Sequence, residues 1–148
     1  MGDLALASKI FATPERFLWC PESRTVVVAD VHVAIEESLA GAGLYVPELQ
    51  GAGPGGDLGR RWEKLVERGP RRVVVAGDLF DRPEPGRRAV EMCWELLRRL
   101  PGECGVTVIR GNHDPSKEVL QRLIGERVEV ADEGPGFGMG LRRRTLLV

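Results

Sequence analysis

Short apolar runs alternate with amphipathic stretches along this chain, and their periods predict most of its elements. Phe17-Leu18-Trp19 and Thr25-Val26-Val27-Val28-Ala29 are separated by Pro21-Glu22-Ser23-Arg24, a composition that predicts a hairpin with a tight turn. The next forty residues carry little pattern, and positions 51–56 are almost all Gly, Ala and Pro, which predicts a loop. Leu58, Trp62, Leu65 and Val66 then fall at i, i+4, i+7 and i+8, a helical stripe with Asp57 placed to cap it and Gly69-Pro70 to end it. Residues 72–76 form a β-branched run without polar alternation after its arginine, as expected of a strand buried on both faces.

The same grammar repeats downstream. Val90, Cys93, Trp94, Leu97 and Leu100 make a second helical stripe, stopped by Pro101-Gly102, and residues 106–109 read as another buried strand. Asp114 and Pro115 have the composition of an N-cap and first helical position, with Val119, Leu120, Leu123 and Ile124 facing inward and Gly125 as the stop. Residues 127–130 are a further strand candidate. Strands alternating with helices of this length predict an α/β layered fold, and the 148 residues fit a single domain with no internal repeat.

Three of these strands end in the same way. Val26-Val27-Val28-Ala29 runs into Asp30 and His32, Val73-Val74-Val75-Ala76 into Gly77-Asp78, and Val106-Thr107-Val108-Ile109-Arg110 into Gly111-Asn112-His113-Asp114. The carboxyl ends of strands in α/β sheets open onto the ligand crevice, so the three loops are expected to converge. Asp30 and His32 lie two apart, which on an extended backbone aims both side chains to one side. Gly77 and Gly111 stand where the chain must turn sharply. The only two histidines of the chain, His32 and His113, are both in these loops. Carboxylate, amide oxygen and imidazole nitrogen suit Mn, Fe, Zn or Co, and the lack of nearby thiolates argues against a structural zinc knot. Each piece alone has a plain structural explanation: a turn with a surface histidine, a Gly-Asp turn, a helix start at Asn112 to Pro115 capped by Asp114. Their recurrence in this order at strand ends is what points to a metal centre.

Bulk properties narrow the setting. Apolar residues make up 43% and charged residues 29%, with a formal net charge of −1, so no global field favours nucleic acid or an anionic membrane. Arginine doublets at 60–61, 71–72, 87–88 and 98–99 sit beside acidic residues or on polar helix faces and read as solvated surface. Cys20, Cys93 and Cys104 show no Cys-x-x-Cys spacing and an odd count, which suits reduced thiols in a cytoplasmic protein. No signal-peptide pattern opens the chain and no run approaches the roughly 20 apolar residues of a membrane span.

With these residues in view, the sequence resembles the calcineurin-like metallophosphoesterase superfamily. Asp30-Val31-His32, Gly77-Asp78-Leu79-Phe80-Asp81 and Gly111-Asn112-His113-Asp114 match that family's Asp-x-His, Gly-Asp-x-x-Asp and Gly-Asn-His-Asp blocks. The segment around residues 29–47, with Glu36-Glu37-Ser38 and Val46-Pro47, is most similar to the bacterial and archaeal branch that contains the DNA-ligase-associated phosphoesterases. The resemblance implies a layered metallophosphoesterase fold, a β-sandwich core flanked by helices. It also implies two divalent cations, manganese foremost, with iron, zinc, cobalt and nickel as alternatives. Under it, Asp30 and His32 bind the first metal, Asp78 bridges both, and Asn112 binds the second. His113 faces the substrate and Asp114 orients it, making these two the catalytic pair, while Asp81 and Arg82 form a supporting ion pair.

The family's isolated histidine and its Gly-His-x-His block have no counterpart after Asp114. Gly134 to Gly140 is glycine-rich, and Arg142-Arg143-Arg144 leads into Thr145-Leu146-Leu147-Val148, similar to the strand that should deliver the isolated histidine. The chain is therefore read as one domain incomplete at its C-terminus. The leading expectation is hydrolysis of a phosphomonoester or phosphodiester by metal-activated water. A second is a catalytically silent domain holding at most one weak metal. A third is a DNA-end nuclease, disfavoured by the missing basic stripe and the short chain. The expected partner is a phosphate-ester substrate, with no membrane, nucleic acid not favoured and the oligomeric state open. The segment 41–56 is the candidate for substrate selection, since specificity residues concentrate in loops.

Overall fold

In a computed structural model of the chain, residues 2–45 and 56–132 are described. They form β1 (Leu4–Ala7), β2 (Ile10–Ala12), β3 (Leu18–Cys20), β4 (Thr25–Val28), α1 (Ile35–Gly41), α2 (Asp57–Glu67), β5 (Arg72–Ala76), α3 (Arg87–Arg99), β6 (Gly105–Ile109), α4 (Lys117–Ile124) and β7 (Val128–Ala131). The seven strands make one sheet in chain order. β1 to β4 pair antiparallel, and β4 to β7 are parallel. This is the α/β layered class expected from the alternation of periods.

The parallel half explains the core. Val26 and Val28, Val73 and Val75, Val106 and Val108, and Val128 and Val130 alternate onto one face, as the two-residue period of a strand requires. Trp62 and Leu65 of α2, Cys93, Leu96 and Leu97 of α3, and Leu120 and Ile124 of α4 pack against that face. The Trp62 indole N–H donates to the Leu96 carbonyl at 2.8 Å, tying α2 to α3. Burying a side chain of this size stabilises by about 1.5–3 kcal/mol, so the valine ladder and its helical cover supply the main cohesion.

The hairpin expected around Pro21-Glu22-Ser23-Arg24 is β3–β4, paired from Leu18↔Val27 to Cys20↔Thr25. Other local expectations shift. The N-cap of α2 is Gly56 rather than Asp57, which lies in the first turn, where a carboxylate still meets the positive end of the helix dipole. The N-cap of α4 is Ser116, whose hydroxyl accepts from the Val119 N–H at 3.4 Å, rather than Asp114. Trp94 stands at the edge of the α3 stripe, 37% exposed, with its ring against Gly125. β1, β2 and α1 carried too little apolar periodicity to be expected. The loop expected at 51–56 and the strand expected at 145–148 lie, apart from Gly56, outside the described residues.

The register sets the position of the three loops. Val28 pairs with Val75 and Val75 with Val108. β4, β5 and β6 therefore end level with one another, and the segments that follow emerge on one rim of the sheet.

Candidate metal centre

Backbone hydrogen bonds lace the first two loops together beyond the strands. Asp30 N–H donates to the Gly77 carbonyl at 3.3 Å, His32 N–H to Asp78 at 3.0 Å and Val33 N–H to Leu79 at 2.9 Å. Val33 and Phe80 form a parallel bridge and are 1% and 0% exposed. The path is not the extended one expected. Asp30, His32 and Asp78 have φ of 48°, 44° and 48°, in the left-handed region that non-glycine residues seldom occupy. Their side chains still converge: one ligand atom from each of Asp30, His32 and Asp78 lies within 4.8 Å of the others. Such backbone conformations cost of order 1–3 kcal/mol each and persist where the surroundings over-determine them. Here the surroundings are the laced amides and the bridge.

The third loop closes on the second through Asp114 and Gly111. Asp114 is 3% exposed, and its carboxylate accepts three backbone N–H groups: Phe80 at 2.7 Å, Gly111 at 2.9 Å and Leu79 at 3.2 Å. Its oxygens are thus directed at the two loops' backbones, and the partner of the His113 ring is Asp78. Gly77, with φ of 88°, sits in the left-handed region as a sharp turn requires. Gly111 has a different reason to be glycine. A Cβ there would overlap Asp78 N and Oδ1 and lie 2.8 Å from its Cγ, so the side chain is excluded by close approach.

Asp78 is 8% exposed. Its Oδ1 accepts the His113 backbone N–H at 3.0 Å, and its Oδ2 lies 2.9 Å from His113 Nδ1. Burial pushes the Asp78 carboxyl up, but the His113 ring, the His113 amide and the nearby His32 outweigh it and hold the group below the usual carboxylate range. The His113 imidazole is raised in turn, first by its hydrogen bond to Asp78 and then by the charges of Asp78, Asp81 and Asp114. The rings of His32 and His113 meet edge to face at 5.8 Å. Asn112 lies exposed between Gly111 and His113. Asp81 does not pair with Arg82 as expected; its Oδ1 lies 3.4 Å from His32 Nδ1.

The donor set fits a hard or borderline divalent cation. Two carboxylates and an imidazole converge, one carboxylate is nearly buried, and the thiols of Cys20, Cys93 and Cys104 are buried elsewhere. Burial pushes the Cys93 thiol up to about 12, which removes it from thiolate chemistry.

The profile of the calcineurin-like phosphoesterase family matches residues 23–139. That span contains all three loops and most of the sequence, and the chain belongs to this family. The crystal structure of the Pseudomonas putida nuclease MPE is similar in fold, with a TM-score of 0.55 at 19% identity over 88% of this chain. The chain spans 59% of that nuclease's length. No curated protein matches the sequence. Among the described residues no helix is long and apolar enough to cross a membrane.

Proposed function

We propose that this chain carries part of the metal shell of a phosphate-ester hydrolase, in which Asp30, His32, Asp78 and Asn112 supply ligands to a pair of divalent cations, manganese foremost. The observation that carries the reading is the convergence of Asp30, His32 and Asp78 within 4.8 Å on the rim where parallel strands end. Asp30 and His32 would hold the first cation, Asp78 would be shared between the two, and the Asn112 amide oxygen would serve the second. When bound, such cations would lower the pKa of water and neutralise phosphoryl oxygens. The His113 side chain is 51% exposed, at the solvent side of the cluster where an ester approaches. Its imidazole, raised by Asp78, carries the proton that a departing oxygen needs. Asp114 acts as a positioning residue by holding the loops that carry Asp78 and His113.

The test is elemental analysis of the purified chain after incubation with manganese, paired with hydrolysis of aryl phosphate mono- and diesters and of single-stranded DNA. Asp78→Asn is expected to lose both metal and activity. His113→Ala is expected to slow turnover by about 10²–10⁴-fold at unchanged metal content. A wild-type chain that retains no metal overturns the reading, and loss of metal in His113→Ala moves His113 into the ligand set. Cleavage of DNA without hydrolysis of the aryl esters would make the substrate a polynucleotide.

A further inference from the structure

His32 holds an unsatisfied polar atom. Its Nδ1 is fully buried and, among the described residues, has no hydrogen-bond partner, although the side chain as a whole is 23% exposed. A buried nitrogen left without a partner is unfavourable, and such an atom needs an explanation. The group facing it is the carboxylate of Asp81, with Oδ1 at 3.4 Å, just outside hydrogen-bonding geometry.

The backbone explains why these two residues meet. His32 precedes Val33 and Asp81 follows Phe80, and Val33 and Phe80 are the two members of the parallel bridge. The bridge is pinned from both sides: Val33 N–H donates to Leu79 at 2.9 Å, and Phe80 N–H donates to Asp114 at 2.7 Å. His32 and Asp81 therefore stand across a fixed backbone pair, and their approach does not depend on a mobile tip.

We propose that Asp81 is the positioning residue of His32, accepting the proton of Nδ1 and so presenting the Nε2 lone pair to the metal cluster. The inference rests on the metal-centre reading for its purpose, but the tautomer it requires follows from the pair itself. A neutral imidazole protonated at Nε2 would aim the Nδ1 lone pair at a carboxylate, which is repulsive. Protonation at Nδ1 turns the same contact into a charge-assisted hydrogen bond that a small ring rotation closes. Carboxylates behind ligand histidines set ring orientation and basicity in this way. The role differs from that of Asp78, which belongs to the cluster, and from that of Asp114, whose oxygens are taken by backbone amides.

The experiment uses long-range ¹H–¹⁵N spectra of the full chain without metal, together with manganese and zinc titrations. With only His32 and His113 in the sequence, a His113→Ala spectrum assigns the His32 ring. Wild type is expected to carry the His32 proton on Nδ1 at pH about 8. Asp81→Ala is expected to release it to Nε2 and weaken metal binding by about 10–100-fold. Asp81→Asn, whose amide oxygen still accepts, is expected to keep the Nδ1 tautomer and most of the affinity. Circular dichroism of each variant reports retention of the fold. An Nε2-protonated His32 in wild type, or an Asp81→Ala variant with unchanged tautomer, overturns the inference. A wild-type chain that binds neither metal overturns the metal-centre reading instead, and the tautomer still decides the role of Asp81.

Discussion

His113 meets Asp78 twice, through its backbone N–H to Oδ1 at 3.0 Å and through ring Nδ1 to Oδ2 at 2.9 Å. The two residues are 35 apart in sequence, so the contact locks the loop after β6 onto the loop after β5. It also couples their protonation. A carboxylate beside the ring favours the imidazolium, which raises His113 above its ordinary 6.5. In metal-free protein, an NMR titration should therefore show His113 staying protonated to higher pH than a free imidazole. Asp78→Asn should return the midpoint toward 6.5, since the neutral amide no longer stabilises the cation. A His113 midpoint at or below the ordinary value in wild type would contradict the pairing.

Gly111→Ala tests close packing at the same contact. The added methyl overlaps Asp78 N, a backbone atom, and Oδ1, which the His113 N–H holds, so the loop has to move. The expected cost is about 1–3 kcal/mol in urea unfolding, accompanied by weaker metal binding because Asp78 is displaced. An alanine variant with wild-type stability and affinity would show that the loop yields without consequence.

Asp114→Ala removes the acceptor of three backbone amides, those of Leu79, Phe80 and Gly111. Buried donors left without an acceptor cost about 1–3 kcal/mol apiece. A loss on the order of 3 kcal/mol or more is therefore expected, larger than for a typical surface substitution. Amide hydrogen exchange at Leu79, Phe80 and Gly111 should quicken together. Unchanged exchange at those three positions would argue against the staple.

Asp3 and Arg68 carry a pH dependence away from the metal centre. Arg68 donates to both Asp3 oxygens at 2.6 and 2.8 Å. This contact, against a small opposing effect of burial, holds the Asp3 carboxyl below its usual 3.8. For a depressed carboxylate the stabilising contribution is present above the unfolded pKa and is lost as pH falls through the folded one. Asp3→Asn should thus be less stable than wild type at neutral pH, and the gap should close as pH drops below about 3.8. Thermal unfolding across that range measures it; a gap that persists at lower pH would sink the assignment.

The alternation of strands and helices, and the placement of metal-ligand residue types at three strand ends, are written in the local sequence. These features are local: a valine run, a helical stripe, or a glycine beside an aspartate states its conformation within a few residues. Asp30, His32 and Asp78 are accordingly legible in the sequence, and the structure brings one ligand atom of each within 4.8 Å of the others. Which carboxylate serves which partner emerges only on folding. Asp78 takes His113, Asp81 faces His32 and Asp114 takes backbone amides, whereas local pattern offered Asp114 as a helix cap and the family resemblance set Asp114 behind His113 and Asp81 beside Arg82. The left-handed backbone at Asp30, His32 and Asp78 and the need for glycine at 111 were hidden for the same reason. They arise from amides and side chains of neighbouring loops tens of residues apart, and no local preference encodes a strained conformation that only distant contacts can hold.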